Sequence, residues 1–344
     1  MNRCSSYRLP AEWEPQEAVL LAWPHQRTDW QPFLAEVEAV YLEVARQISR
    51  HENLLIITPE AEQLKRSLSA AELDLSSIRL ITIDTDDTWV RDCGPVTVYA
   101  DGQALLLDFQ FNGWGGKYPW NKDNRITRQL KDQAELQSAD YLSCDLILEG
   151  GSIETDGQGT LLTTTTCLLN PNRNPQLTRA DLEQQFSQLF GCSHQLWLDS
   201  GQLSGDDTDG HIDTLARLCP GDRILYVQCA DPRDEQYAEL KRMEAQLQQF
   251  QTRTGVPFTL LPLPWPQPCY WQGQRLPANY ANFLIINRAV LVPTYADAAD
   301  AKALGTIQQA FPDRDVVGID CRALIKQHGS LHCITMQLPK RFCP

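Results

Sequence analysis

The sequence predicts an α/β fold of five repeated ββαβ units that close into a ring, the architecture of a five-bladed α/β-propeller. Four stretches have the pattern of β-hairpins, each followed by a helical stretch and a short strand. Their first strands lie near residues 98, 154, 216 and 285, which are 56, 62 and 69 residues apart. Such regular spacing is typical of repeat architectures.

The hairpins are marked by turn residues between apolar or β-branched flanks. They are VTVYADGQALLLDF (96–109), SIETDGQGTLLTTT (152–165), DTLARLCPGDRILYVQ (213–228) and NFLIINRAVLVPTY (282–295). Asp-Gly between strands is a strong hairpin signal, because a tight turn needs positive φ. The helix and strand after each hairpin are expected at 125–135 and 145–148, 178–190 and 195–198, 234–252 and 257–261, and 297–311 and 316–319.

The N-terminal region supplies the fifth unit. AVLLAWP (18–24) and NLLIIT (53–58) are expected to be strands, separated by a helix over 30–50. The last strand, HCITMQLP (332–339), could provide the missing hairpin partner and close the ring. A helix at 60–69 and a strand at 78–83 have no place in the repeat. An open parallel sheet is the alternative, but it predicts single strands between helices rather than hairpins.

The composition favours a soluble globular protein of the cytosol over a membrane or nucleic-acid-binding protein. Of 344 residues, 42% are hydrophobic and 22% charged, and no apolar run is long enough to span a bilayer. The N-terminus has no apolar segment typical of a signal peptide. A net charge of −14 disfavours phosphate contacts and suits a cationic small molecule. The eleven cysteines contain no CxxC pair, which argues against a thiolate metal site.

Five polar motifs stand immediately before the hairpins and the closing strand. They are TWVRDCGP (88–95), LEGGS (148–152), DGHID (209–213), LPANYAN (276–282) and GSLHC (329–333). Equivalent points of a ring converge on its axis, so the repeat predicts that these motifs form one active site.

The motif SGDDTDGHIDT (204–214) places one histidine among acids. His211 and Asp213 are expected on one face of an apolar strand over 212–218, where a histidine beside a carboxylate suits acid–base chemistry. An EF-hand would need an acid at Gly205 and a glutamate at Ala216, and HEXXH is absent, so no metal is predicted. The remaining acids, Asp206, Asp207 and Asp209, are equally consistent with a solvated loop.

The other polar residues each have a structural explanation when taken singly. Cys333 could be a buried thiol, Glu149 a salt-bridge partner, and Asp92 the ion-pair partner of Arg91. Their common placement instead favours nucleophilic attack by Cys333 on a guanidinium, whose planar N–H fork pairs with carboxylates and whose charge favours a thiolate.

These motifs, together with FNGWGGKYPWNKDN (111–124), ILEGGSIETDGQGTLLTT and CLLNPNRNP (167–175), resemble those of the agmatine deiminase family. That family is grouped with the Porphyromonas-type peptidylarginine deiminases in the guanidine-modifying superfamily. The resemblance covers nearly the whole chain. It implies one catalytic domain over 1–344 with the pentein fold, a small cationic guanidine substrate, no cofactor and a possible homodimer.

The resemblance also implies residue roles. Cys333 resembles the family's nucleophile, and His211 its general acid and base. Asp92 and Asp213 match the pair that grips the guanidinium, and Glu149 matches the carboxylate that orients His211. Trp89 and Trp114 are expected to contact substrate. For the distal ammonium of agmatine, the candidate acids are Asp86, Asp87 and Asp207.

One departure from the family leaves the substrate open. The family has GGGNIHC where this chain has HGSLHC (328–333), so most of the glycines and the asparagine are missing. Agmatine, converted to N-carbamoylputrescine and ammonia in putrescine biosynthesis, is the first expectation. Free arginine, whose carboxylate Arg91 or Lys117 could meet, and peptidyl-arginine are alternatives. An amidinotransferase and a non-catalytic binding propeller are alternatives of another kind.

Overall fold

The computed structural model of the chain describes residues 7–133, 136 and 139–340. They form a mixed α/β fold. The strands are β1 (Tyr7–Arg8), β2 (Gln16–Ala22), β3 (Asn53–Thr58), β4 (Ile78–Thr82), β5 (Val96–Ala100), β6 (Gln103–Gln110), β7 (Asp140–Ile147), β8 (Ile153–Thr155), β9 (Thr160–Thr164), β10 (His194–Leu198), β11 (Ala216–Cys219), β12 (Arg223–Val227), β13 (Thr259–Leu263), β14 (Tyr270–Trp271), β15 (Gln274–Arg275), β16 (Leu284–Ile285), β17 (Ala289–Thr294), β18 (Asp315–Asp320) and β19 (Thr335–Pro339).

The α-helices alternate with these strands. They are α1 (Leu34–Ser49), α2 (Ala61–Ala70), α3 (Val90–Cys93), α4 (Gly113–Gly116), α5 (Ile126–Asp132), α6 (Thr165–Leu168), α7 (Arg179–Phe190), α8 (Tyr237–Leu247) and α9 (Asp300–Ala310). Among the described helices, none is long and apolar enough to cross a membrane.

Five sheets repeat one pairing pattern. In each, two antiparallel strands are followed by a third strand parallel to the second. The sheets are β5-β6-β7, β8-β9-β10, β11-β12-β13, β16-β17-β18 and β19-β2-β3. The parallel partner follows a crossover that contains a helix, as parallel pairing requires. The four predicted hairpins and their following strands are therefore confirmed.

The two ends of the chain pair with each other. Strand β19 lies antiparallel to β2, with Thr335 opposite Leu21. This confirms that the last strand supplies the missing hairpin partner. The segment that had no place in the repeat extends the same sheet, because β4 pairs in parallel with β3.

Two of the four hairpin turns have positive φ at both turn residues. Asp101 and Gly102 have φ of 50° and 83°, and Gly221 and Asp222 have φ of 76° and 54°. Helix bounds differ from the expectation mainly at their ends. Helix α8 is shorter than the predicted 234–252, and the end of the predicted helix at residue 135 lies outside the described residues.

Candidate active site

The polar segments that precede the five sheets contact one another. The backbone N–H of Arg91 donates to the carbonyl of Cys333 at 3.2 Å. The N–H of Gly151 donates to Oδ1 of Asp92 at 2.9 Å. The N–H of His332 donates to Oδ1 of Asn282 at 2.9 Å. The predicted convergence of these motifs is therefore present among the described residues.

The segment that carries His211 and Asp213 is not the predicted strand. Ile212–Thr214 form a 3-10 turn, and β11 begins only at Ala216. The Thr214 hydroxyl donates to the carbonyl of His211 at 2.8 Å and closes the turn. This side-chain bond offers the backbone an alternative to sheet pairing. The turn allows His211 and Asp213 to reach different partners within one buried site.

The ring of His211 is fully buried between two carboxylates. Its Nδ1 lies 3.6 Å from Oδ1 of Asp92, and its Nε2 lies 3.5 Å from Oε2 of Glu149. Burial works against a charge on the ring, but Asp92, Cys167 and Glu149 outweigh it and raise the pKa of His211 well above its ordinary value. The ring is therefore an imidazolium, able to give a proton to a leaving group.

Glu149 is held in place by a buried arginine. Nε of Arg173 donates to both oxygens of Glu149, at 2.9 and 2.8 Å. Burial opposes the charge of Glu149, but His211 and Arg173 lower its pKa below the ordinary value. Glu149 is thus held facing Nε2 of His211, at 3.5 Å.

Asp92 receives donors from two other motifs. Its Oδ2 accepts from Nε1 of Trp114 at 2.9 Å, while its Oδ1 accepts from Gly151. Trp114 adopts a left-handed backbone conformation with φ of 54°, which is uncommon for a bulky residue. Burial raises the pKa of Asp92, although the charge of His211 opposes the rise. A bound cation would offset this loss of hydration.

Asp213 has one oxygen anchored and one oxygen free. Its Oδ2 accepts from Nδ1 of His332 at 2.7 Å, whereas its Oδ1 has no hydrogen-bond partner among the described residues. Burial opposes its charge, but the hydrogen bond from His332 lowers the pKa of Asp213. The side chain is therefore an ionised carboxylate whose Oδ1 can accept a hydrogen bond from a ligand.

The thiol of Cys333 lies beside that carboxylate. Its Sγ is 3.9 Å from Oδ2 of Asp213 and 3.4 Å from Oδ1 of Asn282. Burial and the charges of Asp213 and Asp92 raise its pKa well above the ordinary value. Without a cation in the site, Cys333 is therefore a thiol rather than the thiolate that attacks electrophiles.

Gly151, the second glycine of the LEGGS motif, lies where a side chain would not fit. A Cβ at this position would lie 2.6 Å from Nδ1 of His211, 2.8 Å from Oδ1 of Asp92 and 3.1 Å from Oδ2 of Asp213. Any side chain would therefore separate three of the predicted catalytic residues.

A narrow cavity opens onto Cys333. Its lining residues are Asp29, Asp87, Trp89, Asp92, Trp114, Tyr118, Asp207, Thr208, Gln327, Gly329 and Cys333. Six of the ten candidate site residues line it. Glu149, His211 and Asp213 lie behind Asp92 and Cys333, and Asp86 is not part of the lining. The cavity wall is acidic, and none of these residues is basic.

The two tryptophans form parts of the wall, as expected. Nε1 of Trp89 donates to Oδ2 of Asp87 at 3.1 Å. A Cβ on Gly329 would approach the Trp89 ring to 2.3 Å, so the glycine that remains in HGSLHC is needed for this contact. Burial raises the pKa of Asp87 to about 7.

The acids of SGDDTDGHIDT divide into structural and cavity-facing groups. Asp206 caps its own loop, accepting from the N–H of Gly210 at 2.7 Å. Asp209 pairs with Arg173 at 2.7 Å and with Lys117 at 2.9 Å. Asp207 lines the cavity and accepts from the Tyr118 hydroxyl at 2.8 Å. The solvated-loop interpretation is therefore wrong for Asp207.

Two other expectations about charged residues require correction. Asp86 does not line the cavity, because its Oδ2 accepts from the backbone N–H of Lys122 at 2.9 Å. Arg91 is buried and donates to Gln337 at 2.5 Å instead of pairing with Asp92, so it does not face the cavity either.

Several residues of the site received no role from the sequence. His332, Asn282 and Arg173 lie inside quoted motifs, but their partners are distant in the chain, so no local pattern reveals them. Asp29 and Glu12 stand outside every active-site motif.

One group of side chains has the composition of a metal site. Donor atoms of Glu149, Cys167 and His211 lie within 4.8 Å of one another. The guanidinium of Arg173 already binds both oxygens of Glu149, so a dication there would be repelled at close range. These residues therefore fit an acid–base pair better than a metal ion.

Comparisons with known proteins agree with this geometry. The family model for Porphyromonas-type peptidyl-arginine deiminase matches residues 8–339. Agmatine deiminase of Pseudomonas aeruginosa is 33% identical, over 98% of this chain and 96% of its own length. A substrate-bound cysteine-to-serine variant of C. jejuni agmatine deiminase superposes with a TM-score of 0.91 at 36% identity, covering 98% and 97% of the two chains. A structure from Porphyromonas gingivalis, named provisionally as an arginine deiminase, has a TM-score of 0.91 at 46% identity over 98% and 100%.

Proposed function

This chain belongs to the Porphyromonas-type peptidyl-arginine deiminase family, and we propose that it hydrolyses agmatine to N-carbamoylputrescine and ammonia. The acidic cavity that ends at Cys333 carries this choice of substrate. Four aspartates line it and no basic residue does, which suits a dication with a guanidinium at one end and an ammonium at the other.

Two carboxylates hold the guanidinium in this mechanism. Asp92 and the free Oδ1 of Asp213 accept its N–H groups, which keeps the substrate cationic. The cation offsets the negative charges that oppose ionisation of Cys333. Because Sγ lies 3.9 Å from Asp213, the guanidinium carbon is brought close to the nucleophile.

The first half of the reaction replaces a C–N bond with a C–S bond. As the guanidinium binds, the Cys333 thiol gives its proton to water, and the thiolate attacks the guanidinium carbon, which becomes tetrahedral. The His211 imidazolium gives its proton to one NH₂ group, which leaves as ammonia. The product is a covalent amidino-cysteine (thiouronium) intermediate, and Glu149 stabilises the ring in position throughout.

The second half restores the enzyme. Neutral His211 takes a proton from water, and the resulting hydroxide attacks the amidino carbon. The C–S bond breaks, and the leaving Cys333 sulfur takes up the proton of the new hydroxyl group, so that the thiol is restored and the carbon becomes that of a ureido group. The sequence consumes one water, releases one ammonia and involves no change of oxidation state.

Asp87 and Asp207 are proposed to bind the distal ammonium, with Asp29 as a further acid of the cavity wall. Trp89 and Trp114 would confine the aliphatic chain. Free arginine fits less well, because its carboxylate would meet these acids. Lys117 cannot compensate readily, since its Nζ is bonded to the Asp207 carbonyl and to Asp209.

We further propose a fold, a cellular compartment and an oligomeric state for this chain. The five sheets with one pairing pattern, joined at the chain ends by β19 and β2, support a five-bladed α/β-propeller that acts as one domain. All nine cysteines in the described part of the chain are free, which supports a reducing compartment, the cytosol. The homodimer is proposed from the family resemblance alone.

The test is ammonia release from agmatine, free arginine and a blocked arginyl peptide, with Cys333→Ala as control. Release from agmatine with a matching amount of ureido product is expected, and it should be lost in the variant. Release only from free arginine or the peptide would retain the chemistry and overturn the substrate. Amidine transfer to an added amine without ammonia would indicate an amidinotransferase, and release that survives Cys333→Ala would exclude the mechanism.

A further inference from the structure

His332 joins the proposed substrate-binding carboxylate to a glutamate from the other end of the chain. Its Nδ1 lies 2.7 Å from Oδ2 of Asp213, and its Nε2 lies 2.7 Å from Oε2 of Glu12. All three side chains are buried. Water therefore competes little for these hydrogen bonds.

Both ring nitrogens of His332 lie against carboxylate oxygens in this arrangement. A bare nitrogen facing an ionised oxygen at 2.7 Å would place two lone pairs together. Both carboxylates are ionised: burial opposes the charge of Glu12, but His332, Arg217 and Arg91 hold its pKa well below the ordinary range. Nη2 of Arg217 lies 3.3 Å from Nε2 because it donates to the same Glu12 oxygen, at 2.8 Å.

The arrangement fixes which oxygen of Asp213 is available. His332 occupies Oδ2, while Oδ1 has no partner among the described residues. If His332 released Oδ2, the carboxylate could rotate and Oδ1 would no longer be fixed toward the substrate.

Glu12 is itself immobilised. Its Oε1 accepts from the backbone N–H of Ile285 at 2.7 Å, within the hairpin that follows the Asn282 motif. We propose that Glu12 and His332 are positioning residues for deimination: Glu12 holds the His332 ring in place, and His332 holds Asp213 with Oδ1 directed at the guanidinium. This inference rests on the proposed function, because Asp213 is taken to bind substrate.

The charges around His332 balance one another. Glu12 and Asp213 face its ring nitrogens, Arg217 faces Nε2, and Nε of Arg91 donates to its carbonyl at 3.4 Å. Replacing Glu12 by glutamine removes one negative charge from this group. The bond between Nε2 and the side chain of residue 12 then loses its charge assistance and weakens, so the ring is held less firmly against Asp213.

Glu154 provides a matched control. It is buried like Glu12, each 6% exposed, and it accepts from Nε of Arg217 at 2.8 Å, the distance at which Glu12 accepts from Nη2. No hydrogen bond or ion pair joins Glu154 to His332 in the described structure. Both Glu12→Gln and Glu154→Gln should therefore disturb Arg217, while only Glu12→Gln disturbs His332 and Asp213.

The experiment compares agmatine hydrolysis by the two variants, with active enzyme counted by haloacetamidine titration of Cys333. Glu12→Gln is expected to raise KM and to lower kcat/KM at least about tenfold, the value of one hydrogen bond to a charged group. Glu154→Gln should stay within about threefold of the wild type. Equal losses in both variants, or a loss explained by fewer titratable sites, would overturn the inference. Absence of agmatine turnover in the wild type would instead count against the proposed function.

A second measurement does not depend on the folding of a variant. In ¹⁵N-histidine-labelled wild-type protein, Nδ1 of His332 should carry a hydrogen-bonded proton, assigned by its absence in His332→Asn or, if that variant is unfolded, by coupling to the assigned His332 backbone. Absence of a proton on Nδ1 would overturn the inference.

Discussion

Alanine at Gly151 tests whether the active-site segments meet as described. The new Cβ would lie 2.6 Å from Nδ1 of His211 and 2.8 Å from Oδ1 of Asp92, whereas ordinary contact begins at 3.4 Å. These atoms must therefore retreat by about 0.8 and 0.6 Å if the backbone stays in place. Gly151 does not have positive φ, so the effect comes from the added methyl group alone.

The expected loss is larger for catalysis than for stability. A misplacement near 1 Å lowers rates about a hundredfold, so kcat/KM for agmatine should fall about 30- to 100-fold. Overpacking should lower the free energy of unfolding by about 1–3 kcal/mol. Both follow from steady-state ammonia release and from denaturant unfolding.

Gly305→Ala is the matched control for the glycine substitution. Gly305 lies within α9, and a Cβ there would meet nothing within 4 Å. Alanine should leave activity unchanged and stabilise the helix by up to about 1 kcal/mol. If Gly151→Ala retained more than a third of the wild-type kcat/KM, the placement of His211 against Asp92 would be wrong.

Two further predictions follow from the electrostatics of the cavity. Because the pKa of Asp87 is raised to about 7, the side chain gains its negative charge as pH rises through 7, and KM for agmatine should fall across that range. Asp87→Asn should abolish this pH dependence of KM. An unchanged pH dependence in the variant would refute the role of Asp87 in binding the ammonium. The same shift means that Asp87 stabilises the fold below its unfolded pKa and that this contribution is lost as pH rises through about 7. Because the pKa of Cys333 is raised well above its ordinary value, neutral iodoacetamide should alkylate it slowly at pH 8, and a cationic haloacetamidine at least about tenfold faster. Equal rates for the two reagents would contradict a thiol that needs a cation to ionise.

The repeating part of the fold was predictable from local sequence. Asp-Gly and Pro-Gly-Asp turns specify their own backbone angles, and apolar flanks specify the strands, so the hairpins and their order follow from short segments. The pairing of β19 with β2 was also predictable, because one unit lacked a strand and the C-terminus offered one. The segment of α2 and β4 could not be placed, since the choice of a sheet edge depends on packing rather than on local pattern.

The candidate site was predictable where a motif supplied both residue and place. Cys333, Asp92 and the two tryptophans line one cavity, as their motifs suggested. The strand expected at 212–218 was wrong because Thr214 bonds back to the His211 carbonyl, a choice that apolar alternation does not reveal. The roles of Glu12 and Arg173 could not be predicted, because a buried ion pair can be recognised only when both partners are known. Their partners, His332 and Glu149, lie 320 and 24 residues away along the chain.

The most direct test of the central claim is the mass of the Cys333 peptide after acid quenching during turnover of agmatine. The mechanism predicts an adduct on Cys333 equal in mass to agmatine less one ammonia, absent before substrate is added and absent in Cys333→Ala. Continued turnover with no adduct at Cys333, or an adduct on another residue, would contradict nucleophilic catalysis at this cysteine.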